Sequence, residues 1–254
     1  MRKTTNVLFG LFSACCAFSL LTAQTVRADD KPVMLVHKDK VGDALHLAIK
    51  LSAEAMGAEI KADQKTTSTI KEIKKNGDVV TESKDEGGKI SIGGMEMDQP
   101  PGPSTTTTRT SRGKLVDWKI EKEDESFISV PLQRLLDALN DILLPDKAVN
   151  PGDKWETEIA NPVQEAKKIK VKTTYVGTEK VDGVELWKLK QTAEAIVSGD
   201  GDKISHVQTV WLNPTNGQLV RAEQEVKDIP TNTPLNKLSW KMKIEAVKPD
   251  KDAR

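Results

Sequence analysis

Leu238, Trp240, Met242 and Ile244 alternate with Ser239, Lys241, Lys243 and Glu245. Period two places the first set on one face of an extended segment and the second on the other, so this stretch reads as a strand with one wet face. A chain dominated by such segments has to build an antiparallel sheet and cover one side of it. The pattern returns at Leu45, Leu47, Ile49 and Leu51, although LHLAIKLSAEAM also scores as a helix, and again at Ile169, Val171, Thr173 and Tyr175. Turn signals separate the runs. Asn76-Gly77 and Val181-Asp182-Gly183 tolerate positive φ and predict hairpins, and Asn213 to Gly217 and Gly199 to Gly201 read the same way. Gly93-Gly94 marks a bulge or bend, and Gln99-Pro-Pro-Gly-Pro103 a stiff exposed connection.

One segment breaks the rule of two. Leu132, Leu135, Leu136, Leu139, Ile142 and Leu143 recur at three- and four-residue steps, predicting an amphipathic helix over 131–144. Ser129 can cap it, Pro131 fits its first turn, and Pro145 ends it.

Arg2 and Lys3 precede an uncharged apolar run from Val7 to Ala23, and Val26-Arg27-Ala28 supplies small residues before Asp29-Asp30. The expectation is a secretory signal peptide over 1–28, with lipidation at Cys15 or Cys16 as a lesser alternative. Both cysteines lie in that leader, so the remainder has no disulfide or thiolate metal site. A chain starting at Asp29 carries 35 basic and 38 acidic residues, which argues against a general nucleic-acid binder.

No catalytic signature emerges. His37, His46, Asp39 and Asp43 match no familiar metal-ligand spacing and read as solvent-facing polar groups. There is no G-x-S-x-G, H-E-x-x-H or phosphate loop. Asp124 with Glu125, and Asp200 with Asp202, sit in charged, turn-like contexts that do not raise a carboxyl pKa. The expectation is a protein that is not an enzyme and has no cofactor and no metal. A hydrolase would need His206 or His46 within reach of a Ser or Asp in a cleft.

The tryptophans carry more information. Trp118, Trp155, Trp187, Trp211 and Trp240 fall one to a strand. They can fill a core beneath the helix or line a concave apolar site. In the second reading Trp187, Trp211 and Trp240 contact a ligand together with Leu135 and Leu139 of the helix, which acts as a plug.

Val149 to Trp155 (V-x-P-G-D-x-W) after an amphipathic helix, and Trp211 to Arg221 (W-x-x-x-x-x-G-x-L-V-R), resemble uncharacterised families of secreted and lipoprotein-type bacterial proteins. More distantly, the order of strands and a plugging helix is similar to the half-barrel of lipoprotein carriers and lipoprotein-sorting proteins. The resemblance implies a strand-rich fold and brings no catalytic residues.

Gly42-Asp43 and Gly152-Asp153, Asn76-Gly77 and Asp182-Gly183, and Gly113-Lys-Leu-Val and Gly217-Gln-Leu-Val occur in the same order on both sides of the helix. Two similar halves, 33–128 and 149–247, would explain this, as would the reuse of common turns. The expected fold is thus mainly β (α+β): one domain over 29–254, a curved antiparallel sheet or half-barrel around one central helix. The expected role is a non-enzymatic, exported envelope protein, periplasmic or extracellular, with no transmembrane span after the leader. It binds a lipid or other amphiphile, or an envelope protein, or else it is a solid-cored interaction module using a sheet edge or the proline-rich loop.

Overall fold

The computed structural model describes residues 31–55, 58–121, 128–231 and 237–248. The expected leader, with Cys15 and Cys16, and the Asp124-Glu125 pair lie outside these residues.

Among the described residues, twelve strands form one antiparallel, nearly closed barrel-like sheet. They are β1 (Ala44–Ala55), β2 (Ala58–Ile73), β3 (Val79–Ile92), β4 (Met95–Gln99), β5 (Thr105–Arg109), β6 (Leu115–Ile120), β7 (Lys154–Ala160), β8 (Lys168–Val181), β9 (Val184–Ile196), β10 (Lys203–Leu212), β11 (Leu219–Pro230) and β12 (Lys237–Val247). Across the sheet the order is β6-β5-β3-β2-β1-β12-β11-β10-β9-β8-β7, with β4 paired to β3. The first strand therefore lies beside the last, and β6 and β7 form the two edges. The alternation at Leu45–Leu51 is that of a strand. Gly93 and Gly94 do more than bend a strand: both take positive φ and turn β3 into β4.

The single helix of the described residues, α1 (Val130–Asn140), is shorter than its apolar stripe suggested. Pro131 stands in its first turn as expected, but Ser129 makes no side-chain cap. Pro145 does not end it. Asp141 is already extended at φ −60, ψ 138, and the chain runs on non-helical through half-buried Ile142 to buried Leu143 and Leu144. The cause is tertiary: the Leu143 N–H donates to Gln191 Oε1 at 3.0 Å instead of bonding within the helix, and Gln191 Nε2 donates to the Asp141 carbonyl at 2.9 Å.

Leu132, Leu135, Leu136 and Leu139 of α1 pack against Ile169, Val171, Ala193, Ala195, Ile204, Val226 and Ile229 on the inner face of β8–β11. A second cluster holds Leu35, Leu144, Val149, Tyr175, Leu189, Val210 and Leu212. The solid core thus lies over the inner face of β8–β11.

The turns that precede β1 and β7 make matching bonds. Gly42 N–H donates to the Ile70 carbonyl and Ile70 N–H to Asp43, while Gly152 N–H donates to Tyr175 and Tyr175 N–H to Asp153. Asp43 Oδ2 accepts the Lys40 N–H at 3.1 Å, and Asp153 Oδ2 accepts the Asn150 N–H at 2.8 Å. The segment leading into each half is gripped by a hairpin of the other: Lys38 N–H donates to the Asn216 carbonyl, and Leu144 N–H to that of Arg112.

Candidate functional site: an apolar cleft at the end of the helix

Leu45, Leu47, Ile49 and Leu51 share the inner face of the sheet, because Ile49 is directly opposite Ile244, which packs against the second cluster. None of the four joins either core cluster. They are half-buried. Between the upper part of this face and the end of α1 lies a cleft of about 310 Å³. Its apolar walls are Leu45 and Leu47 of β1, Ile70 of β2, Val79 of β3, Ile142 after the helix and Leu219 of β11. Ser68, Thr81, Ser83 and Thr110 add hydroxyls, with Ser68 and Ser83 bonded to each other at 2.8 Å. A concave, mainly apolar hollow with a few converging polar groups is the usual form of a small-molecule site.

The polar groups gather where α1 stops. Asp141, 4% exposed, accepts from Arg109 Nε at 2.6 Å and from the Leu115 N–H at 2.8 Å. Burial pushes its carboxyl up to about 6, with the Arg109 guanidinium opposing that rise. Arg109 also donates to Thr107, and Trp118 Nε1 to Asp137 one turn earlier in the helix. Across the cleft, burial lowers the His37 pKa, against the raising influence of Asp39 and of the Gly217 and Ile142 carbonyls. Burial also raises Asp39; His37 opposes that shift and Asp43 adds to it.

Beneath this site runs a buried polar row. Thr173, Gln191, Gln208 and Gln224 are directly opposite one another on β8 to β11. The last carbonyls of a helix have no partner within it. Here Gln191 supplies one, and Gln208 Nε2 lies 3.3–3.5 Å from the carbonyls of Leu139, Asn140 and Asp141. Gln224 donates to Asn140 Oδ1 and lies 2.7 Å from His206 Nε2. His206 is 1% exposed, and burial drives its pKa down to about 4.

Of the five residues singled out by sequence, Leu135, Leu139 and Trp240 meet in the first cluster, Trp187 packs on the second, and Trp211 lies on the other face of the sheet. Leu135 and Leu139 are closed into the core. Trp187 and Trp240 lie half-buried on the inner face, against the second and first clusters respectively. Trp211 is on the opposite face from Val210, beneath Lys188 Nζ at 5.1 Å and Arg221 Cζ at 5.2 Å from its ring centroid, with its N–H on Glu179. None of the five lines the cleft. The residues that do were missed because they come from six separate segments; only the Leu45–Leu47 alternation announced an inner face. His37, Asp39 and Asp43, read as solvent-facing, line the cleft instead. His46 Nδ1 meets Thr67 at 2.8 Å, and His206 meets Gln224; among the described residues neither has a Ser or Asp partner. Among the described residues, no group of three or more His, Cys, Asp or Glu is placed to hold a metal, and no helix is long and apolar enough to cross a membrane.

No family model and no curated protein matches the chain. Three solved structures are similar over most of its length. A DUF1329 family protein from Desulfovibrio piger has 11% identity and a TM-score of 0.28, covering 84% of this chain and 88% of that one. A protein assigned as a lipoprotein from Parabacteroides distasonis has 12% identity and a TM-score of 0.35, covering 86% and 100%. A domain assigned as an outer membrane lipoprotein-sorting protein from Vibrio parahaemolyticus has 6% identity and a TM-score of 0.24, covering 84% and 89%.

Proposed function

We propose that this is a non-enzymatic extracytoplasmic binding protein that takes the apolar part of an amphiphile into the cleft between α1 and the inner face of β1–β3. One observation carries the reading: Leu45, Leu47, Ile70 and Val79 face a hollow beside the helix, while the same face of β8–β11 is filled by α1. Apolar surface left out of the core gains about 25 cal/mol per Å² when a ligand covers it. The charged N-terminus and apolar run that follows support export to the bacterial envelope.

The test starts from protein purified natively from an export-competent host, with co-purifying small molecules identified by mass spectrometry. Any hit, and a dodecyl-chain series, is then titrated by calorimetry against the parent and Leu47→Glu. Binding by the parent that falls at least tenfold in the variant, with thermal unfolding still cooperative, is the expected result. A parent that binds no amphiphile overturns the reading.

A second reading has its own observation. Among the described residues, β6 and β7 each pair on one side only, and such open edges accept extended peptides. An interaction module working through those edges would bind protein partners and ignore amphiphiles.

A further inference from the structure

The charges on the cleft wall do not cancel. Among the described residues, Arg109 is its one lysine or arginine, and Asp141 already holds that guanidinium at 2.6 Å. Asp39 and Asp43 remain, and neither has an ion pair among the described residues beyond the neighbouring His37. Burial keeps His37 toward its neutral form, so it is a poor counter-ion at neutral pH. Lys38 and Lys40 are exposed and do not line the cleft. An amphiphile lying on Leu45, Leu47 and Ile70 therefore brings its polar end to a wall carrying two uncompensated carboxylates beside an apolar floor.

Resting on the binding role proposed above, we infer that the ligand is a single-chain amphiphile with a protonated amine head, held by Asp39 and Asp43, and that carboxylate- or phosphate-headed lipids are disfavoured. A half-buried carboxylate without a counter-ion is stabilised by an arriving ammonium, whereas an anionic head repels it. Such discrimination works by penalising the wrong charge as much as by rewarding the right one. The apolar wall, common to all chains of equal length, supplies affinity; the two aspartates select among heads.

The experiment compares dodecylammonium, dodecyl maltoside and laurate below their micellar concentrations at pH 7, by calorimetry on the full chain. Dodecylammonium is expected to bind about tenfold or more tighter than laurate, with maltoside between them and the spread narrowing as salt rises. In Asp39→Asn/Asp43→Asn the spread should collapse while maltoside affinity stays within about twofold. Laurate or maltoside binding as tightly as the amine overturns the inference and leaves the binding role standing. A spread that survives in the double variant also overturns it, because the selection would then come from other groups. If none of the three binds, the inference falls together with the binding role.

Discussion

Burial moves the protons of His206 and Asp141 in opposite directions. His206 titrates near 4 in the folded chain, against 6.5 when solvated, so between those values the unfolded state binds the extra proton and stability falls as pH falls. Asp141 titrates near 6 against 3.8, so in that window the folded state binds the extra proton and stability rises as pH falls. Between about pH 6 and 4 the two contributions therefore oppose each other. Removing either group should uncover the other. In urea unfolding between pH 7 and 4, His206→Gln should gain stability relative to the parent as pH falls, and Asp141→Asn should lose it. Parallel profiles for all three would contradict the assignment. Gln191 permits a blunter test: Gln191→Leu strands a buried N–H and a buried carbonyl, for an expected loss of about 2–4 kcal/mol in the same assay.

At the scale of elements, two hairpins are held by close approach of backbone to backbone. A Cβ on Gly113 would sit 2.1 Å from the Ile142 carbonyl oxygen, and one on Gly217 the same distance from that of Val36. Both residues also take positive φ. Gly152 has φ +90 with nothing within 4 Å, so Gly152→Ala meets conformational strain alone, about 1 kcal/mol. Gly113→Ala and Gly217→Ala should each cost at least twice that by denaturant unfolding; equal losses at all three sites would show that the clasps yield. Sequence could announce these glycines as turns and no more, because what they press against lies elsewhere in the chain. The end of α1 illustrates the same limit. Its leucine stripe runs on through Leu143, but the backbone leaves the helix at Asp141 to meet Gln191, and nothing local records that glutamine. Alternation, by contrast, is written locally, which is why β1, β8 and β12 and the hairpins at Asn76-Gly77 and Asp182-Gly183 were readable.

At the scale of the whole molecule, the barrel-like sheet was legible as a class and its asymmetry was not. The turns before β1 and β7 share their bonding, but α1 fills only the face of β8–β11, and the β1–β3 face is left to form the cleft. The Trp spacing pointed to an inner surface without distinguishing the filled side from the open one. β1 and β12 pair from His46 opposite Val247 to Ala53 opposite Trp240. A ribosome releases β1 long before β12 exists, so the edge that β12 will occupy stands bare while nearly all the remaining chain is made. Any factor that shields a nascent strand edge has its longest task here, and loss of β12 would be felt at β1.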